Sequence, residues 1–327
     1  MIRRFFGVMA AVGCGVLLLP AADAMAQAKG SADAGAAKRA NPNWKAPRNA
    51  FGQPDLEGIW TTDDMRGVPM SRPAQFGTRA FMSDEEFANR AKQRENARAI
   101  DDARTGTFRN EEGSRNFGYT SLLIEPADGR FPALTADARS RPAPRGTGGL
   151  GPFNTIDDFS LWDRCITRGV AGSWLPVVYD NGTRIIQTPD SVILAHEMVH
   201  EARVIPLDGR PHLPSGIPQW DGSSRGHWEG DTLVVETKGF SAKSDMMGSS
   251  TGLHLVERFT RIAPDVLQYD VTMSDASTWT APWTVRIPMK QIDEPLIEYA
   301  CHEGNLGMLG ILAGARKQEA DAARAKH

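Results

Sequence analysis

The feature that most constrains the fold is a series of short apolar segments, separated by turn dipeptides, that begins near residue 173. In two of these segments apolar residues occupy every second position, first from Leu267 to Met273 and then from Trp279 to Met289. A period of two puts one row of side chains on the buried face of a β-strand. Dipeptides such as Asn181-Gly182 and Pro264-Asp265 mark hairpins between the segments. The pattern predicts a mainly β fold, in which an antiparallel sheet closes into a barrel or folds into a sandwich.

The N-terminal end of the chain does not share this pattern. Residues 1–26 have the form of a signal peptide, with Arg3 and Arg4 before an apolar run and a small-residue cleavage site at 24–26. We therefore expect the mature protein to be periplasmic or secreted. Residues 27–50 are rich in Ala, Gly, Lys and Asn without an apolar period, which predicts a flexible leader.

The rest of the chain, 51–327, is expected to form a single β-rich domain. A surface helix is predicted at 83–104, where Ser83 and Glu86 match a capping box, and a helical tail is predicted at 306–325. No second apolar run is long enough to span a membrane. The net charge is −3 and no basic stripe is present, so a nucleic-acid partner is not expected.

Two cysteines remain in the predicted mature chain, Cys165 and Cys301. In an oxidising compartment such a pair favours a disulfide bond, and the alternative is two separately buried thiols. The bond would close a loop of more than 100 residues. In the chain-entropy model this stabilises the fold by about 4 to 5 kcal/mol. It would also bring "LWDRC" next to "CHEGN".

The segment "HEMVH", which begins at His196, matches the zinc-binding pattern H-E-x-x-H. On a helix its two histidines would share one face, whereas on a strand they would stand about 13 Å apart, too far for one ion. The flanking residues 191–205 are rich in β-branched side chains and lie between turn signals, which favours a strand. A strand would put His196, Met198 and His200 on the apolar face and Glu197 on the other.

Several histidines from distant parts of the chain are expected to converge inside the barrel, where imidazole and carboxylate groups can act as general acids and bases. The candidate catalytic residues are His200, His212, His254, Glu257, His302 and Glu303. The candidate substrate-binding residues are three charged and three aromatic side chains, namely Asp163, Arg164, Arg225, Tyr269, Trp279 and Trp283. If a metal is bound, the expected ligands are His200, His212 and His302. The alternative for each histidine is an imidazole that is hydrogen-bonded to a backbone carbonyl at the core or rim.

Five phrases stand out along the chain: "LWDRCITRG" (161–169), "IPLDGRPH" (205–212), "SRGHWEGDTLVVET" (224–237), "LHLVERFTR" (253–261) and "EYACHEGN" (298–305). Together they resemble a largely uncharacterised family of secreted bacterial proteins. The resemblance covers about residues 52 to 316 and implies a secreted globular protein, but it supplies no activity. Family members often carry an aromatic residue in place of His196 and Arg in place of His227, so neither histidine belongs to the preferred site. The G-x-W of "LEGIWTT" (56–62), followed by a meander, resembles the start of lipocalin-like (calycin) barrels.

These residues favour an enzyme that acts on a small aromatic or sugar-like molecule by acid–base chemistry, as a lyase, isomerase or hydrolase. The sequence has no nucleotide-binding glycine loop, nucleophile elbow or C-x-x-C motif, so we expect no organic cofactor and allow only a divalent metal. The alternative is a non-catalytic protein that binds a small ligand against Tyr269, Trp279 and Trp283. A second alternative is a zinc hydrolase that uses the "HEMVH" segment.

Overall fold

A computed structural model describes residues 44–90, 92–93, 117–141, 153–177, 181–244 and 246–325. The predicted signal peptide and the predicted leader up to residue 43 lie outside this part of the chain. The described strands are β1 (Gly58–Thr61), β2 (Leu123–Glu125), β3 (Gly182–Gln187), β4 (Ser191–His196), β5 (Ala202–Pro206), β6 (Ser223–Glu229), β7 (Thr232–Lys238), β8 (His254–Ala263), β9 (Val266–Ser274) and β10 (Trp283–Ile292). The described helices are α1 (84–90 and 92–93), α2 (Ala136–Ser140) and α3 (Gly307–Arg324).

All ten strands belong to one antiparallel sheet. Along the sheet the order is β5-β4-β3-β1-β10-β9-β8-β7-β6, and β2 pairs with β10 beside this path. The first described strand, β1, therefore lies in the middle, between β3 and β10. The predicted antiparallel, mainly β fold is confirmed.

The sheet curls on itself but is not a closed barrel. Among the described strands, β5 and β6 end the order, and no hydrogen-bonded ladder joins them. They nevertheless meet side by side, because Gly226 of β6 faces Ile205 and Leu207. A Cβ atom added at Gly226 would lie 2.9 Å from Ile205 and 2.7 Å from Leu207. The absence of a side chain at Gly226 lets these two side chains fill the gap between the edges.

Inward-facing side chains of neighbouring strands stack in layers. The row from Leu267 to Met273 on β9 is buried at each alternate position, as predicted. Tyr269 in this row is paired with Phe259 on β8 and with Ile287 on β10, and all three have 0% exposure. Burial of one such side chain contributes about 1.5 to 3 kcal/mol, so these layers form the main core.

Short turns join neighbouring strands where the turn dipeptides predict them. Pro189-Asp190 joins β3 to β4, and Pro264-Asp265 joins β8 to β9. The hairpin predicted at Asn181-Gly182 is wrong. The described residues before it contain a 3₁₀ turn, Gly172–Trp174, instead of a strand. The Asn181 side chain accepts a hydrogen bond from the N–H of Val177 (2.8 Å) and closes a loop before β3.

The "HEMVH" segment is itself a hairpin. Strand β4 ends at His196, Met198–His200 form a 3₁₀ turn, and β5 begins at Ala202. The predicted strand is therefore correct on both sides of the turn and wrong within it. The helix that a zinc site of this pattern requires is not formed. His196 is buried with 7% exposure, whereas His200 is exposed.

The hairpin turn is held by contacts from other parts of the chain. Val199 has a φ of 62°, which a β-branched residue rarely adopts, so local preference does not explain the turn. The Glu197 carboxylate accepts hydrogen bonds from the N–H of Gly182 (3.3 Å) and of Ile297 (2.7 Å). Glu197, predicted to point away from the interior, is buried with 8% exposure and ties three segments together.

The helices lie outside the sheet. Helix α1 begins with the predicted capping box, in which Ser83 Oγ accepts from Glu86 N (3.2 Å) and Glu86 accepts from Ser83 N (2.8 Å). Helix α3 lies within the predicted tail and buries no side chain, although Arg316 donates to the carbonyl of Phe153 (2.7 Å). Neither these helices nor any other in the described ranges is long and apolar enough to cross a membrane.

Candidate functional site

A cavity of about 370 Å³ lies against the inner face of the sheet. Its floor consists of inward-facing residues of β9 and β10, namely Val271, Met273, Val285 and Ile287. Two segments, 160–175 and 240–247, supply most of the remaining wall. Apolar side chains predominate, among them two tryptophans and four methionines: Trp162, Trp220, Met70, Met246, Met247 and Met273.

The first of these segments is shaped by its own turns. Ser160 Oγ donates to Asp163 (2.7 Å) and accepts from the N–H of Asp163 (3.1 Å). The part-buried Arg164 pairs with the exposed Asp157 at 3.0 Å. Gly169 has a φ of 76°, and its N–H donates to Thr167 Oγ1 (2.8 Å). Asp163 and Arg164, which we predicted to contact substrate, thus contact Ser160 and Asp157, and neither is among the lining residues in the described part.

Arg168 carries the charge at the cavity wall. It is the only ionisable residue among the lining residues of the described chain. Its guanidinium carbon lies 4.8 Å from the ring centroid of Trp162, which is a cation–π contact. Its Nη2 donates a hydrogen bond to the carbonyl of Leu175 (3.3 Å). The two contacts fix a positive group beside an otherwise apolar space.

A pair of carboxyl groups lies behind the lining residue Thr167. The Thr167 hydroxyl is 2.8 Å and 3.0 Å from the two carboxyl oxygens of Glu201 and 3.1 Å from Asp221 Oδ1. Ser173 Oγ lies 3.3 Å from Glu201. Burial, together with the hydrogen bond to Asp221 and its charge, raises the pKa of Glu201 to about 8. Glu201 is therefore protonated at neutral pH, and the pair holds one proton beside the cavity wall.

A buried ion pair links β5 to β8 through the interior. Arg203 donates two hydrogen bonds to the Glu257 carboxylate, each 2.8 Å long, and Tyr269 donates a third of 3.1 Å. Burial lowers the pKa of Arg203, but the facing Glu257 charge outweighs it, so the pKa is raised overall. Burial and the Glu257 charge raise the pKa of Tyr269. The predicted site residues Glu257 and Tyr269 are thus brought together around Arg203, whose part in the site the sequence did not indicate.

His196 packs in the same interior as a neutral ring. Its Nδ1 lies 2.8 Å from Thr183 Oγ1, and its ring meets Trp174 edge-on with centroids 4.8 Å apart. Burial and the positive charges of Arg203 and Arg168 lower the pKa of His196 to about 3. An imidazole held neutral in this way is not charged at any ordinary pH.

Two of the predicted catalytic histidines meet on the outer face of the sheet. His212 Nε2 lies 3.0 Å from one carboxylate oxygen of Glu236, and His254 Nε2 lies 2.8 Å from the other. Burial raises the pKa of Glu236, but the hydrogen bonds from these imidazoles outweigh it and bring the pKa to about 2. Arg225 donates to the carbonyl of Pro211 (2.9 Å) and so positions the loop that carries His212. This cluster forms no part of the cavity lining described here.

The other two predicted histidines lie near the disulfide bond. Cys165 and Cys301 are bonded, with Cα atoms 5.7 Å apart, which confirms the predicted pairing. His302 and Glu303 follow Cys301 on an exposed turn, and His200 is exposed with Nδ1 3.4 Å from a backbone carbonyl. The four predicted histidines are therefore divided between two places and do not converge inside the sheet.

The expected metal ligands are not assembled. In the described residues, no group of three or more His, Cys, Asp or Glu side chains is arranged to hold a metal ion. His200, His212 and His302, which we predicted as ligands if a metal is bound, therefore do not form a ligand set in this fold.

The predicted aromatic contacts are core contacts. Trp279 and Trp283 pack edge-on with centroids 5.3 Å apart, and Phe131 packs against Trp283 at 4.9 Å. Trp279 is 5% and Trp283 0% exposed. The tryptophans that line the cavity are Trp162 and Trp220 instead. The one signal for them in the sequence was the position of Trp162 beside the disulfide cysteine in "LWDRC".

The fold and the cavity define a class, a mainly antiparallel β protein with a largely apolar cavity against the inner face of its sheet. No family model matches the chain, and no curated protein matches it. Solved structures that match include a mutant of the fluorescent protein UnaG, which is 18% identical over 35% of this chain and 72% of that chain, with a TM-score of 0.23. A superposition with so low a TM-score transfers neither a site nor a function.

Proposed function

We propose that this protein binds a small, largely apolar molecule in the cavity between the sheet and the segments 160–175 and 240–247. The observation that carries the proposal is the cavity itself. Its volume of about 370 Å³ falls in the range of about 300 to 1,000 Å³ that is typical of small-molecule sites, which are mainly apolar with a few polar groups. The hydroxyls of Ser160, Thr167 and Ser244 supply such groups here.

The composition of the wall supports a binding role. Methionine side chains are flexible and polarisable, so a wall with four of them adapts to ligands of irregular shape. Trp162 and Trp220 add flat apolar surface. No histidine is among the lining residues of the described chain, so the imidazole chemistry expected from the sequence has no support from this cavity.

Acid–base catalysis on the bound molecule is the second candidate, and the Glu201–Asp221 pair favours it. A carboxylic acid that keeps its proton near neutral pH is suited to act as a general acid. Thr167 stands between the pair and the cavity, so its hydroxyl is the group through which a proton would pass. A lyase, isomerase or hydrolase without an organic cofactor is compatible with this arrangement.

The disulfide supports a location in an oxidising compartment, such as the periplasm or the outside of the cell. The predicted signal peptide agrees with it. Secretion of a fusion that carries residues 1–26, followed by N-terminal sequencing of the exported protein, tests this part of the proposal.

Titration with aminoanthracene, a neutral apolar fluorophore, tests the binding function. The informative variant is Gly172→Leu, because a Cβ atom there would lie 3.5 Å from Met246 and 3.7 Å from Arg168 at the cavity wall. Gly216→Leu is the matched control, since a Cβ atom at Gly216 meets no atom within 4 Å. We expect the Gly172 variant to bind the fluorophore at least about tenfold more weakly and the control to bind like the wild type. Absence of binding, or equal binding by all three proteins, contradicts the proposal.

The same preparations test catalysis. Incubation with a metabolite extract should deplete a compound and release a product if the second candidate is correct, and Glu201→Gln should abolish that turnover while it preserves fluorophore binding. Retention of a compound without conversion favours binding alone.

A further inference from the structure

The charge at the cavity wall has one sign. Arg168 is the only ionisable residue that lines the cavity in the part of the chain that the structure describes. All other lining side chains are apolar or carry a hydroxyl group. A cavity with this lining therefore offers an apolar space with a single cationic group at its edge.

We propose that the molecule bound in the cavity carries one anionic group, a carboxylate or a similar oxyanion, which pairs with Arg168 while its apolar body fills the space above β9 and β10. The proposal rests on the binding function argued above and specifies the class of ligand. A guanidinium group presents paired N–H donors in a plane that matches the two oxygens of a carboxylate, so an acid of this kind is recognised by shape as well as by charge.

The position of Arg168 is already set before a ligand arrives. Its guanidinium group lies over the ring of Trp162, and the Leu175 carbonyl accepts a hydrogen bond from it. A long side chain held in this way loses less conformational entropy on binding than one that must first be ordered. Trp162 also lines the cavity, so the same ring contacts both the cation and the space for the ligand body.

The other ionisable groups that the structure describes near the cavity do not line it themselves. Glu201 is protonated near pH 7, so the Glu201–Asp221 pair keeps one negative charge, which lies behind the Thr167 hydroxyl. The Glu257 carboxylate is compensated by its two hydrogen bonds from Arg203. Arg168 is the one ionisable residue of the described chain that lines the cavity itself, so it is the charged group that a bound ligand meets directly.

Three unbranched ligands of ten carbon atoms each test the proposal on the wild-type protein. Decanoate, decanol and decylamine differ only in the end group, which is anionic, neutral or cationic at pH 7. Each is used to displace aminoanthracene at about 150 mM salt, where distant surface charges are screened. We expect decanoate to bind about tenfold more tightly than decanol, and decylamine to bind most weakly.

Three variants at two arginines of the same segment assign the effect. Arg168→Met should remove the preference for decanoate over decanol, and Arg168→Lys should keep part of it because the charge remains. Arg164→Met is the matched control, since Arg164 pairs with Asp157, and it should keep the full preference. Urea unfolding of each variant shows that the fold is retained.

The possible failures are distinguishable. If aminoanthracene and all three alkyl ligands fail to bind, the binding function itself is wrong. If they bind but decanol or decylamine binds as tightly as decanoate, the binding function is supported and the anionic ligand class is overturned. A preference that Arg164→Met loses as fully as Arg168→Met also overturns it, because the charge effect is then not specific to the cavity wall.

Discussion

Replacement of Glu201 by glutamine should change how the stability of the protein depends on pH. Glutamine is neutral at every pH and has the same shape, so it retains a hydrogen bond to Asp221 without a titrating proton. In the unfolded chain the Glu201 carboxyl loses its proton near pH 4.5, whereas in the folded protein it does so near pH 8. Between these values the folded protein holds a proton that the unfolded chain does not.

The direction and size of the effect follow from this difference. Because the pKa of Glu201 is raised on folding, its contribution to stability is fully present below pH 4.5 and is lost as the pH rises to about 8. The free energy of unfolding of the wild type falls by up to about 1.4 kcal/mol for each pH unit in this window, which gives an upper limit of about 5 kcal/mol. In Glu201→Gln this loss is absent.

Urea unfolding of ligand-free protein, followed by tryptophan fluorescence at pH 5, 6, 7 and 8, measures the effect. We expect the stability of Glu201→Gln relative to the wild type to rise steadily over this range. Glu303→Gln, at an exposed position, is the control and should show no such trend. A constant difference between Glu201→Gln and the wild type from pH 5 to pH 8 would refute the assignment of a buried, shared proton to this pair.

Three further outcomes are expected from the other charged and covalent contacts. Arg203→Met should cost about 3 to 5 kcal/mol in urea unfolding because Glu257 is left buried without its partner, and Arg203→Met/Glu257→Gln should recover much of this. Conversion of both Cys165 and Cys301 to Ser should lower the free energy of unfolding by about 5 kcal/mol or less, since the two cysteines are 136 positions apart. The same change should weaken fluorophore binding, because Cys165 anchors a wall of the cavity. His254→Ala should cost less than about 1 kcal/mol, because its partner carboxylate is part-exposed, and should leave fluorophore binding unchanged in the same titration.

The strands could be predicted from the sequence because their signal is local. The alternation from Leu267 to Met273 needs only a period of two and a neighbouring turn, and the structure buries each of these positions. The turn at Met198–His200 could not be predicted in this way. It depends on Glu197, which is bonded to Gly182 and Ile297, and contacts at such sequence distances override local preference.

The candidate site was predicted less well, for the same physical reason. Histidines are predicted as site residues because imidazole can act as an acid or a base. The pairing of the strands, however, determines which face of the sheet each histidine occupies and which groups it contacts. Thr167, Glu201 and Asp221 are common residues in unremarkable sequence contexts, and only the fold brings both carboxyl groups within about 3 Å of the Thr167 hydroxyl. Arg168 lies in "LWDRCITRG", together with the predicted site residue Arg164. Which of these two arginines lines the cavity depends on the fold and not on the local sequence.

The meeting of β5 and β6 has a consequence for self-association. A free sheet edge exposes unpaired N–H and C=O groups that invite a strand from another molecule. Here the two edges shield each other, and Gly226 allows it because Ile205 and Leu207 occupy the place where its side chain would be. We therefore expect a larger residue at Gly226 to push the edges apart and to offer two templates for intermolecular strand addition.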